Sequence, residues 1–227
     1  MDPRDQKVLD YLSDFLTAER RETMRRVVEE RTRYLTVLVE DIYQPHNASA
    51  VLRSLDACGV QDVHIVENRN RYQVNPGVAL GSSGWLTMHR YADGANNTAA
   101  AMAALRGAGY RLVATSPRPG ASTLEAFDVT RGPTAILLGN ELDGLSPEAL
   151  DGSDEHLYID MYGFVESFNI SVSAAIIIYT LVQKLRRSAV GWRLSEEARS
   201  TLLLEWTRGS LKQSEALERR LWKTIET

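Results

Sequence analysis

The chain has 227 residues, 44% hydrophobic and 25% charged, with a formal net charge of −4. That is enough to bury a full core in one domain with appendages or in two small domains, and neither Pro nor Gly is enriched enough for long disorder. A single cysteine, Cys58, excludes an internal disulfide and a cysteine-rich zinc site and points to a reducing compartment.

The opening residues, MDPRDQKVLD, lack the apolar stretch of a secretory signal. The most apolar run, Ile170 to Val182, falls well short of the roughly 20 residues that span a bilayer. The expectation is a cytoplasmic chain without a membrane segment. Charge is distributed unevenly: residues 1–34 hold 8 basic and 8 acidic side chains, residues 35–183 hold 8 and 16, and residues 184–227 hold 10 and 6. Arg20, Arg21, Arg25, Arg26, Arg31 and Arg33 crowd into the second half of the first segment. They read either as a phosphate-binding surface or as a solvated helix face paired with Glu22, Glu29 and Glu30.

Residues 6–33 are rich in Leu, Glu and Arg without a breaker, and predict one long helix or two short ones. From Leu35 short apolar runs alternate with helical segments. LTVLVE (35–40), VHIVE (63–67), YRLVAT (110–115), TAILLG (134–139) and HLYID (156–160) read as strands; 47–58 and 95–108 read as helices ending at Gly59 and Gly109. This alternation predicts a parallel α/β sheet. A long helix over 167–187 and two further helices, about 195–207 and 210–225, complete the chain, with Trp192, Trp206 and Trp222 as packing anchors.

Three segments carry polar residues that a plain α/β core does not need. In QPHNASAVLRSLDACG, Asn47 is placed to cap a helix and Arg53 to project from its second turn; capping and a surface arginine also account for the segment on its own. In LLGNELDGLSPE, Gly139 and Gly144 allow a tight turn at a strand's carboxyl end and Ser146–Pro147 starts a helix, but Glu141 is left unexplained. In IDMYGFVESFNISVSAA, Ser167, Asn169, Ser171 and Ser173 open an apolar helix, more polar groups than capping requires. Arg53 is the one basic residue close to these segments. G-x-G-x-x-G and G-K-[ST] loops do not occur, and His46, His64, His89 and His156 show no metal-ligand spacing.

In this order the segments resemble the three motifs of the SPOUT superfamily, specifically the tRNA guanosine-2′-O-methyltransferases often called the TrmH or SpoU family. Asn47, Arg53 and Gly59 match the first motif, Gly139, Glu141, Gly144 and Ser146 the second, and Ile159, Met161, Gly163, Ser167, Asn169 and Ser171 the third. Asp160 stands where the family usually has Pro, and Phe168 where it has Leu. The resemblance spans about residues 35–188, leaving helical extensions over 1–34 and 189–227.

The resemblance implies a parallel sheet with a C-terminal trefoil knot, a homodimer with an active site formed across it, and bound S-adenosylmethionine with no metal. Thr115, Gly139, Ile159, Met161, Ser167 and Phe168 become its expected contacts. It further implies methylation of a ribose 2′-hydroxyl in tRNA by Arg53, Asn47, Glu141 and Asn169, and the helical extensions favour the D-loop guanosine at position 18. Arg20, Arg21, Arg25, Arg26, Lys212, Arg219 and Arg220 are the expected RNA contacts. A ribosomal RNA 2′-O-methyltransferase and a non-catalytic RNA-binding protein of the same fold are the alternatives. The first usually carries a larger N-terminal domain; the second is expected to have lost motif residues that this chain retains.

Overall fold

A computed structural model describes residues 1–73, 75–79 and 81–225. It divides into two compact units, Thr32–Trp192 and a unit made of Met1–Arg31 with the segment from Arg193.

The first unit is built on β1 (Leu35–Glu40), α3 (Pro45–Cys58), β2 (Asp62–Val66), α4 (Pro76–Ala79), β3 (Thr87–Tyr91), α5 (Asn97–Gly107), β4 (Arg111–Thr115), β5 (Ser122–Thr123), β6 (Thr134–Leu138), α6 (Pro147–Asp151), β7 (Glu155–Tyr158) and α7 (Ile170–Arg187). Its seven strands form a sheet in the order β3-β2-β1-β6-β4-β7-β5, and every pairing is parallel. Helices cover both faces, so β1, β2 and β6 are buried along their whole length. Alternation decides which side chain goes where. Val37 and Val39 of β1 and Ile136 and Leu138 of β6 join Leu52, Leu55, Ile177 and Leu181 on one face, while Leu38, Ala135 and Leu137 meet Met102, Leu105 and Ala149 on the other.

Two helix starts and two edge strands differ most from the sequence reading. Pro45, with its fixed φ and no N–H to satisfy, starts α3 two residues early; Gln44 is the cap, so Asn47 lies inside the helix and is buried. Asn169 caps α7 by accepting from the Ser171 N–H, which leaves Ser167 and Phe168 in the loop before it. The edge strands β3 and β5 escape the pattern: TMHRY alternates between partial burial and exposure and lacks an apolar run, and β5 has only two residues.

The second unit consists of α1 (Pro3–Ser13), α2 (Ala18–Val28), α8 (Glu196–Ser210) and α9 (Ser214–Ile225). The two ends of the chain, read from sequence as separate extensions, pack here as one body around Val8, Leu12 and Leu204. Arg31 is 1% exposed with its guanidinium 5.3 Å from the Trp206 ring, so it is structural and not part of a surface cluster.

Candidate active site

The loops that follow β1, β4, β6 and β7 meet at the carboxyl ends of the strands, where open parallel sheets hold ligands. The loop after β6 is closed by reciprocal backbone hydrogen bonds between Asn140 and Gly144 (3.0 and 3.2 Å), with Gly144 at φ 70°. A Cβ on residue 139 would lie 2.0 Å from the Gly144 carbonyl carbon, so only glycine lets the loop fold back over the strand end. The far end of this loop is anchored by Glu40, a buried carboxylate at the end of β1 that accepts from the Ser146 N–H and hydroxyl (both 2.7 Å) and from the Thr98 hydroxyl (2.5 Å).

Glu141 is thereby held over the start of α3. Its carboxylate accepts from the Asn47 side-chain amide (2.7 Å) and from the N–H groups of Tyr43 (3.1 Å) and Gln44 (3.3 Å). The Asn47 carbonyl oxygen in turn accepts from the Asn169 amide (3.1 Å), and Asn169 Oδ1 accepts from the Ser171 N–H and hydroxyl. Burial pushes the Glu141 carboxyl up, but the Asn47 amide and the backbone donors outweigh it and hold the group below its ordinary range. An ionised carboxylate only accepts, so its charge fixes the direction of every hydrogen bond in the Ser171–Asn169–Asn47–Glu141 relay.

One residue from each sequence motif therefore converges, and Arg53 does not join them. Six residues after Asn47 on the same helix, it is rotated about 240° from it. Its side chain is exposed, and it has no hydrogen-bond or ion-pair partner among the described residues.

Beside the relay is a cavity of about 650 Å³, within the range of small-ligand sites. Thr115, Ile159, Met161, Ser167 and Phe168 line it, as does Asp160; Gly139 is not among the lining residues and acts through the loop turn instead. Ser116, Pro117, Phe164 and Ile177 line it as well and carried no sequence signal.

Arg69, on the loop after β2, reaches Asp143 of the glycine loop (3.1 Å), which corrects the expectation that Arg53 is the one basic residue near the motifs. Among the described residues no group of three His, Cys, Asp or Glu side chains is placed to hold a metal ion.

The basic residues of the chain ends lie in the helical unit. Arg20, Arg25 and Arg26 are exposed on α2, Lys212 is exposed between α8 and α9, and Arg219 and Arg220 are exposed on α9. Arg21 donates to the Ser13 carbonyl (3.1 Å) and lies 3.6 Å from Asp14. Arg33 belongs to the sheet unit and is paired with Asp62 (2.8 Å).

A parallel α/β sheet with a polar relay and a ligand-sized cavity together at its strand ends defines a small-ligand-binding α/β protein. Residues 34–179 match the model of the SpoU rRNA Methylase family, and the chain belongs to that family. It is 39% identical over 218 residues to the tRNA (guanosine(18)-2′-O)-methyltransferase of Borreliella burgdorferi, covering 96% of this chain and 98% of that protein. The Thermus thermophilus protein of the same description is 36% identical over 197 residues, 84% of this chain and 98% of its own. Among solved structures, the Aquifex aeolicus TrmH/SpoU tRNA modifying enzyme superposes with a TM-score of 0.75 at 28% identity, over 86% of this chain and 98% of that one. The SpoU methyltransferase AviRb of Streptomyces viridochromogenes, solved in complex with AdoMet, superposes at 0.56 with 25% identity, over 72% and 62%.

Proposed function

We infer that this chain methylates the ribose 2′-hydroxyl of guanosine 18 in the D-loop of tRNA, with S-adenosylmethionine as methyl donor. The relay joining Asn47, Glu141 and Asn169 beside a ligand-sized cavity carries this reading. Relatives that align over nearly the whole chain and bear that activity support it.

The cavity fits the donor. Leu157, Ile159, Met161, Phe168 and Ile177 offer apolar walls for an adenine and a short methylene chain, and Thr115, Ser167 and the strand ends offer polar groups. Bound there, S-adenosylmethionine supplies an electrophilic methyl group on a sulfonium. The chain's own contribution is position and charge. Asn47 and Glu141 lock the Asn169 amide at the start of α7, so that a ribose hydroxyl can be held in line with that methyl group. Such positioning is worth about 7–11 kcal/mol. Arg53 carries a guanidinium, a poor base with five fixed donors, and its role is to stabilise the developing alkoxide.

Arg53 points away from its own relay, which supports an active site formed across a homodimer. Exposed apolar side chains around the site, Tyr162, Phe164, Val165, Val172 and Tyr179, support the same assembly. The crossed strand order, with β6 between β1 and β4 and β7 beyond β4, supports the expected trefoil knot. The exposed arginines and lysine of the helical unit provide RNA contacts, and a tRNA substrate supports a cytoplasmic location.

The test is to incubate the protein with a tRNA transcript and methyl-labelled S-adenosylmethionine and to map the modified nucleotide. A 2′-O-methyl group on guanosine 18 is expected; label on a base, or on ribosomal RNA alone, overturns the reading.

A further inference from the structure

The loop that follows β2 is held by a strained residue. Asp41, immediately after β1, has φ 51°, the only left-handed backbone outside glycine among the described residues. Its side chain is buried, and Oδ1 accepts from three successive N–H groups: Asn68 (2.7 Å), Arg69 (2.8 Å) and Asn70 (3.3 Å). Its carbonyl accepts from the Asn70 amide (2.8 Å). Asn68 is fixed further, donating to the Thr98 hydroxyl (2.9 Å) and accepting from the Asn97 N–H (3.1 Å). Thr98 donates to Glu40, so two consecutive carboxylates at the end of β1 anchor two loops: Glu40 holds the one bearing Glu141, and Asp41 holds the one bearing Arg69.

Arg69 spans the two. Its guanidinium lies 3.1 Å from Asp143, two residues beyond Glu141, with the side chains 70% and 63% exposed. Anchoring a turn requires no cation at its tip. The sheet around it carries an acidic excess, and the glycine loop presents Glu141 and Asp143 to any polyanion that approaches the relay. A phosphodiester next to the target ribose meets repulsion there unless a cation is fixed at that loop, and a planar guanidinium matches its two free oxygens.

We propose that Arg69 is a phosphate contact for the RNA strand at the target ribose, parked on Asp143 until the RNA displaces that carboxylate, and that Asp41 is the positioning residue that presents it. The exchange is easy because a solvated ion pair loses little when one partner is replaced by another anion. The inference rests on the reading of the site as an RNA methyltransferase.

The experiment measures equilibrium binding of an unmodified tRNA transcript across a salt series, alongside S-adenosylmethionine affinity. Arg69→Ala is expected to weaken tRNA binding about fivefold and to flatten the salt slope by somewhat under one unit, without moving S-adenosylmethionine affinity. Arg69→Lys restores the slope. Asp41→Ala weakens tRNA binding as well, but adds almost nothing when Arg69 is already alanine, whereas a general loss of fold adds in both backgrounds. An unchanged affinity and slope in Arg69→Ala, or an Asp41→Ala effect that persists undiminished when Arg69 is already alanine, overturns the proposal. Methyl transfer is read separately: failure of the wild type to methylate tRNA overturns the functional reading, while the binding arms still decide the role of Arg69.

Discussion

The side-chain amide of Asn47 donates to the carboxylate of Glu141 at 2.7 Å across 94 residues of sequence, and this bond sets the direction of the whole relay. Glutamine at 141 keeps the shape but replaces one accepting oxygen with a donor that faces Asn47 and two backbone N–H groups. Glu141→Gln is expected to lower single-turnover methyl transfer about 10²-fold, with S-adenosylmethionine affinity nearly intact. Because its donors hold the Glu141 carboxyl below the ordinary range, the stabilising bonds of the ionised form are present at neutral pH and are lost as pH falls through that depressed value. The acid limb of the rate profile should therefore lie below the usual carboxylate range. A Glu141→Gln enzyme with wild-type rates removes the relay from the mechanism.

Arg53 and Asn169 test the composite site. Each alanine variant alone should lose turnover by about 10²-fold or more. Co-expressed as mixed dimers, they should regain about a quarter of wild-type activity, because half the dimers then hold one intact site. No recovery, or a fully active monomer in sedimentation at micromolar concentration, rules out a site shared between protomers.

Gly139→Ala is the sharpest test of the loop. Its Cβ would meet backbone atoms of Gly144 and Leu145 at 2.0–2.1 Å, which no side-chain rotation relieves. A loss of about 3 kcal/mol or more in urea unfolding is expected, whereas Gly163→Ala, with nothing within 4 Å of the added atom, should be close to neutral.

His64 makes stability depend on pH. Burial, then the stacked His89 ring at 4.5 Å, lower its pKa to about 4 against a partial rise from Asp62, and its Nδ1 lies 3.0 Å from the Tyr91 hydroxyl. A folded-state value below the unfolded 6.5 means that the neutral form is favoured. Stability is full above about 6.5 and falls as pH drops toward 4, by up to about 3 kcal/mol. Denaturation at pH 7.5 and 5 should show this slope in the wild type, and a much flatter one in His64→Gln.

Replacing Arg20, Arg25 and Arg26 with Ala should weaken tRNA binding and flatten its salt dependence by somewhat under one unit per lost phosphate contact. Lys212→Ala, Arg219→Ala and Arg220→Ala should act in the same sense. Arg21 is a poorer probe, since its guanidinium already serves the Ser13 carbonyl and Asp14. If affinity and slope stay unchanged in all of these, RNA is held by the sheet unit alone.

Local pattern was sufficient for much of this molecule. Apolar runs of strand length, glycines after helices and the Ser146–Pro147 start of α6 are encoded within a few residues of where they act, and sequence alone located β1, β2, β4, β6, β7 and all three motif segments. Edge strand β3 was invisible because a half-exposed strand needs no apolar run. The same limit applies to Asn47, whose neighbourhood reads as a helix cap; only the placement of β6 beside β1 brings Glu141 to it, and only the placement of α7 against α3 brings Asn169. Glu40 and Asp41 look like the polar end of a strand until the loops they anchor are seen. Periodicity reports which face of an element is buried, but hydrogen bonds between residues 94 and 122 apart depend on strand order and loop closure. The sequence thus named the candidate site residues, and tertiary structure decided which of them face one another within one chain and left Arg53 exposed.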